Sequence, residues 1–178
     1  MKRWLMLAAL GWTAAATAQD SPEAAADALW RALSHGPGAG ADRAALESLF
    51  LPTAQVYGLG RDGAAALRQR SAADFVAAQA EPDTKPFEER EVHREVRRYG
   101  AFAEVFSTVE SRTGAAAAAA DFTGVNSLHL VEQDGRWRIV ALYYALERPG
   151  EPLPAAWRER PPRQPAAAAA GRTVPDSR

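Results

Sequence analysis

The stretch from Gly124 to Glu147, GVNSLHLVEQDGRWRIVALYYALE, constrains the fold more than any other part of the chain. Asp134-Gly135 sits between two apolar runs, and this dipeptide favours the two-residue turn in which both central positions take positive φ. Counting outward from the turn pairs Gln133 with Arg136, Leu130 with Ile139, His129 with Val140 and Val125 with Tyr144. Period two then divides the ribbon. One face carries Asn126, Leu128, Leu130, Trp137, Ile139, Ala141 and Tyr143. The other carries Val125, Ser127, His129, Val131, Arg138, Val140, Leu142, Tyr144 and Leu146. A sheet with one solvated side shows one polar face. Neither face is polar here, so the spacing predicts that helices cover one face and a second subunit covers the other.

The elements before the hairpin are helices first and strands later. Ser21-Pro22-Glu23 provides a cap, a first-turn proline and a favourable charge for a helix in which Ala26, Leu29, Trp30 and Leu33 recur. The glycine-rich segment 36–40 ends it. Asp42 caps a short second helix with Leu46, Leu49 and Phe50, and Pro52 breaks it. Ala54–Leu59 reads as a short strand followed by a loop made permissive by Gly58, Gly60 and Gly63. Ser71 caps a third helix, carrying Phe75 and Val76, that runs to about Ala80. A polar linker over 81–86 leads to a strand over Phe87–Arg98. There Val92 and Val96 face one way and Glu89, Glu91, His93, Glu95 and Arg97 the other. Ala101–Arg112 is the next strand, and Gly114 with Ala115–Ala120 forms a mobile loop. This order predicts an α+β fold with helices on one face of a curved antiparallel sheet.

The termini carry different signals. Lys2-Arg3, the apolar run Trp4–Ala16 and the small residues Ala16-Thr17-Ala18 read as a secretory signal over 1–18, so the expected location is periplasmic or secreted. The run is shorter than the roughly 20 apolar residues of a membrane span, and no stable span is expected after cleavage. Residues 19–155 form the expected domain, and 156–178 read as a disordered tail rich in proline and alanine. Loss of Lys2 and Arg3 takes the formal charge from −1 to about −3, which gives no electrostatic case for nucleic acid. With no cysteine, no disulfide supports the fold, and the core must suffice.

Several of these residues carry a resemblance. Leu29-Trp30 in the opening helix, Leu49-Phe50 before the short strand, Ser107–Arg112, Gly124–Ser127 and Asp134–Val140 are similar, in that order, to the nuclear transport factor 2-like superfamily. That superfamily includes scytalone dehydratase, ketosteroid isomerase and the SnoaL-like cyclases. The resemblance spans about residues 21–155 and is nearest to uncharacterised bacterial, often exported, members. It implies a cone-shaped barrel of curved sheet whose pocket is covered by the N-terminal helices. It also implies that Ser127, His129, Val140, Leu142 and Tyr144 point into the cone, with Trp30, Phe50, Tyr57 and Phe75 completing the pocket wall. Leu128, Leu130, Ile139 and Tyr143 would then lie on the outer side, where many members dimerise.

The catalytic residues of the known members do not carry over. The isomerase places a general-base Asp at the end of the first short strand, and this chain has Val56-Tyr57-Gly58-Leu59 there. The isomerase's oxyanion donor is a Tyr on the first helix, and residues 21–35 contain none. His129 falls near the isomerase's second acid and titrates close to neutrality when free, which makes it the one catalytic candidate. Glu110, Arg112 and Asn126 are candidate polar pocket groups. Sequence alone leaves open whether Glu110 or the Ser107/Ser111 set faces the cavity. Glu91-His93-Glu95 reads as part of a solvated, cross-paired strand rather than a metal site. No metal or cofactor motif is present. The leading expectation is a binder of a small hydrophobic or amphipathic molecule that forms a homodimer. The alternatives are a cofactor-free lyase, isomerase or cyclase using His129 with Glu110 or Asn126, and a dimeric interaction module without ligand.

Overall fold

The computed structural model describes residues 19–59, 67–114 and 119–158. The expected leader over 1–18, Gly60 and Gly63, residues 115–118 of the alanine loop and residues 159–178 lie outside the described residues. Three helices start where the capping residues place them. In α1 (Pro22–Leu33) Ser21 Oγ accepts from the Ala24 amide at 3.0 Å. In α2 (Arg43–Leu49) Asp42 accepts from the Ala45 amide at 3.0 Å. In α3 (Ala72–Gln79) Ser71 Oγ accepts from the Asp74 amide at 3.1 Å. Each cap satisfies an amide that the helix itself cannot.

Among the described residues six strands form one curved, open sheet. They are β1 (Phe50–Leu59), β2 (Arg68–Ser71), β3 (Glu88–Tyr99), β4 (Phe102–Arg112), β5 (Phe122–Gln133) and β6 (Arg136–Leu146). Their order is β2-β1-β6-β5-β4-β3, and neighbours are antiparallel except β1 and β6, which run parallel. The α+β class is as expected, but β2 and β3 remain edges and the cone does not close into a barrel. The short strand β2 was not foreseen, because Arg68-Gln69-Arg70-Ser71 has no apolar alternation. Nor was the start of β1, which includes Pro52. That proline falls in the irregular stretch between Phe50 and Gln55, where the pairing with β6 shifts and no ladder hydrogen bond is required of it.

The turn at Asp134-Gly135 has φ of 53° and 73°, and the first four pairs follow the expected count from Gln133–Arg136 to Leu130–Ile139. The count then breaks. His129 faces Ala141, not Val140, so Val140 is an extra residue in β6. One extra residue inverts the side-chain parity of everything beyond it. Leu142 and Tyr144 therefore face the side of Leu128 and Leu130, opposite to His129, with Leu128–Leu142 and Asn126–Tyr144 as direct pairs. A second irregularity at Val92 does the same in β3. Glu89 and Glu91 lie opposite Ser111 and Val109, whereas His93 and Glu95 lie opposite Thr108 and Phe106 on the other face.

The helices pack on the face that carries Leu128, Leu130, Trp137 and Ile139, all of which are almost wholly buried together with Val105, Val109, Leu29, Leu46 and Leu49. The expected outer placement of Leu128, Leu130 and Ile139 is thus reversed. This face holds the larger, unbroken apolar set, and burying it against the helix stripes removes the most apolar area from water. On the opposite face the chain after β6 turns back through the 3-10 helix Ala155–Trp157, and the Trp157 ring packs edge-on against Phe106 at 5.0 Å. The first residues of the expected tail, 156–158, are therefore part of the described fold.

Candidate functional site

Between the helices and the inner face of the sheet lies a cavity of about 330 Å³. Helix α1 contributes Trp30 and Leu33, helix α3 contributes Phe75 and Gln79, and the chain entering β3 contributes Phe87. The sheet supplies Glu89, Val109, Ser111, Phe122, Gly124, Val125, Asn126, Leu142, Tyr144 and Leu146. Its walls are mainly apolar, with a few polar groups in fixed positions, which is the usual composition of a small-molecule site.

The polar centre is Glu89. Ser111 Oγ donates to its Oε1 at 3.0 Å across the β3–β4 pair. Burial in apolar surroundings raises its pKa to about 7, and the Ser111 hydrogen bond offsets only part of that rise. Its backbone is fixed from the helix side, since the Glu89 amide donates to Ser34 Oγ at 3.0 Å and that hydroxyl donates to the Trp30 carbonyl at 2.8 Å. Two further bonds, His35 N–H to Phe87 O at 2.8 Å and Phe87 N–H to His35 O at 2.9 Å, stitch the end of α1 to the start of the strand. The Trp30 indole N–H is buried with no hydrogen-bond partner among the described residues. Tyr144 reaches the cavity because its ring lies over Gly58 in the parallel pair. A Cβ on Gly58 would come within 2.2 Å of that ring, so the site needs glycine there.

A second, polar pocket of about 380 Å³ adjoins this cavity and shares Gln79 and Phe87 with it. His35, Glu81, Asp83, Lys85 and Thr113 line it.

Of the residues expected in the pocket, Trp30, Phe75, Leu142, Tyr144 and Asn126 line the cavity. Phe50 lies beside it, buried in the core and edge-on to Phe75 at 6.0 Å. Ser127, His129, Val140 and Tyr57 do not reach it. Ser127 Oγ donates to Glu104 at 3.0 Å on the outer face. Val140 is 37% exposed there. His129 lies between Phe102 and Tyr143, at 6.2 and 5.7 Å, and Tyr143 stacks on Tyr57 at 4.7 Å. Ser127 and His129 miss it because the helices cover the opposite face of the sheet, and the Val140 bulge is why Leu142 and Tyr144 part from them and reach it. Glu110 and Arg112 also face outward. Arg90 and Arg112 each donate to Glu110 at 2.8 Å, and these bonds outweigh its partial burial and lower its pKa. It is Ser107 and Ser111 that point inward. Ser107 donates to Glu91, which is paired with Arg94, and Arg94 also binds Asp27 of α1. Sequence reasoning missed Glu89 because it sits in a run of alternating charges that reads as solvated. Its one signal was a position opposite a serine on a strand that carries inward valines.

The comparisons bear on the family and the fold. Residues 36–145 match the model of the family described as "Putative lumazine-binding". No curated protein matches. Among solved structures, a nuclear transport factor 2-like protein of unknown function from Silicibacter pomeroyi is 23% identical over 70% of this chain and 92% of its own, with a TM-score of 0.48. Another from Shewanella baltica is 14% identical over 70% and 92%, with a TM-score of 0.50. A "putative dehydratase" of the same superfamily from Streptomyces avermitilis is 15% identical over 74% and 92%, with a TM-score of 0.51. At these identities the structures bear on the fold alone. With the family match covering well over half of the chain, the conclusion is that this protein belongs to the "Putative lumazine-binding" family and has the nuclear transport factor 2-like fold.

Proposed function

We propose that this protein binds a small, mainly apolar molecule in the cavity under α1 and α3, with Glu89 and Ser111 as its polar anchor. The observation that carries this reading is a carboxyl poised near neutrality in an apolar cavity of about 330 Å³, within the size range of ligand sites. The family description adds a flat heteroaromatic compound, lumazine, as one rational probe. The basic, apolar and small-residue pattern of 1–18 supports export, so the ligand would be met outside the cytoplasm. Native mass spectrometry of protein purified from its own host tests the reading. A retained small molecule is expected. Protein that carries none, and that also fails to bind the neutral apolar dye Nile red saturably, contradicts it.

A second reading, a cofactor-free lyase or isomerase, rests on the same group. A carboxyl that titrates near 7 suits proton transfer at neutral pH, so Glu89 takes the place held in the sequence reading by His129. Conversion of the retained molecule by the wild type, but not by Glu89→Gln, would select this reading over simple binding.

A further inference from the structure

Five aromatic rings border the cavity: Trp30, Phe75, Phe87, Phe122 and Tyr144. Among the described residues that line it, Glu89 alone carries a formal charge, and there is no lysine, arginine or histidine. The cations of β3 and β4 are engaged elsewhere. Further along β3, Arg94 is paired with Glu91 and with Asp27 of α1. Arg90 and Arg112 bind Glu110 on the outer face. His35 and Lys85 belong to the adjoining polar pocket, where Glu81 and Asp83 accompany them. The other polar groups from the elements around Glu89 are uncharged: Ser111 of β4, Asn126 of β5, Gln79 of α3 and the phenol of Tyr144 on β6.

Burying a carboxylate without a cation is costly, and a single hydroxyl hydrogen bond does not cancel that cost. Aromatic faces carry negative quadrupole charge and attract cations, most strongly where water is excluded. Carboxylate and rings therefore ask for the same thing. We infer that the cavity selects an organic cation, such as an aryl- or alkylammonium or a protonated nitrogen heterocycle, held with its positive group between Glu89 and the bordering rings and its apolar body in the rest of the cavity. The inference rests on the small-molecule reading above and gives the charge of the ligand. An anion would lie beside the ionised Glu89 with no cation in the lining to offset the like charge. A neutral molecule would forgo both the ion pair and the cation–π attraction. The near-neutral titration of Glu89 fits the same picture, because a bound ammonium favours the ionised form and lowers the pKa. Below about pH 7, cation binding then releases the Glu89 proton to solvent.

Three probes with one ring and different charge test this: benzylammonium, benzyl alcohol and benzoate, each titrated against protein carrying Nile red. At about pH 8, where an ordinary benzylic amine is still charged, benzylammonium is expected to displace the dye at concentrations at least about tenfold lower than benzyl alcohol, and benzoate to displace none. Glu89→Gln should keep the wild-type circular dichroism spectrum, which shows that it is folded, and by calorimetry should lose the preference for the cation. At about pH 6, calorimetry in buffers of different ionisation enthalpy should detect proton release on cation binding to the wild type only. Equal or stronger binding of benzyl alcohol or benzoate overturns the inference. So does a cation preference that survives Glu89→Gln, or failure of all three probes to displace bound dye. If Nile red itself does not bind saturably, the small-molecule reading falls first and this inference with it.

Discussion

At the scale of single residues, Glu89 dominates. Its folded-state pKa of about 7 lies above that of the unfolded chain, so the charged form is the one the fold opposes. Below an ordinary carboxyl pKa both states hold the proton, and Glu89 imposes no penalty. As pH rises toward 7 the unfolded chain releases its proton first, and stability is lost across that window. The shift is worth up to about 3 kcal/mol at about pH 8. Urea denaturation of Glu89→Gln should therefore show a variant that gains on the wild type by an amount of this order between about pH 4 and pH 8. Parallel stability profiles for the two proteins would show that Glu89 ionises as freely in the fold as outside it. Nothing in the composition of the segment announced this residue. It was read as solvated with its neighbours, and only the inversion at Val92 reveals that Glu89 and Glu91 turn inward while His93 and Glu95 turn outward.

At the scale of elements, the helices were legible and the strand faces were not. Ser21, Asp42 and Ser71 each cap where expected, because capping is a local hydrogen bond that a few adjacent residues determine. A bulge has no comparable signature. Val140 lies in the run Ile139-Val140-Ala141-Leu142-Tyr143-Tyr144, where any residue could be the extra one, yet it decides whether Leu142 and Tyr144 reach the cavity or the outer face. The elements are joined by polar contacts as well as by the core. Arg94 of β3 binds Asp27 and the Glu23 carbonyl of α1 while pairing with Glu91, and its side chain is only 19% exposed. Arg94→Ala leaves the Glu91 carboxylate largely buried without its cation. A loss of about 3 kcal/mol is expected, since breaking one partner of a buried pair costs more than the pair contributes. Amide hydrogen exchange should report where that loss falls, with α1 losing protection before the β4–β5–β6 core. Equal loss across all elements would mean that Arg94 does not act through the contact with α1.

At the scale of the whole molecule, the superfamily was readable from the ordered set of segments around the hairpin, and the match over residues 36–145 agrees with it. The association surface changes more. Leu128, Leu130 and Ile139 are interior, so changing them would unfold the protein rather than separate subunits. The outer face instead carries a row of rings, Tyr57, Tyr143, His129 and Phe102, with Tyr143 and Phe102 43% and 47% exposed. We propose this row as the homodimer surface. Sedimentation should find a dimer at micromolar concentration, and Tyr143→Asp should yield a folded monomer; a wild-type monomer would contradict the proposal. The central claim is nearer the helices: a small-molecule cavity organised around an ionisable Glu89. Carbon-13 NMR of the labelled glutamate carboxyls tests it most directly. The account predicts one resonance, absent in Glu89→Gln, that titrates near pH 7 and moves when the cavity is filled. A Glu89 resonance that titrates with the other carboxyls and ignores added ligand would contradict it.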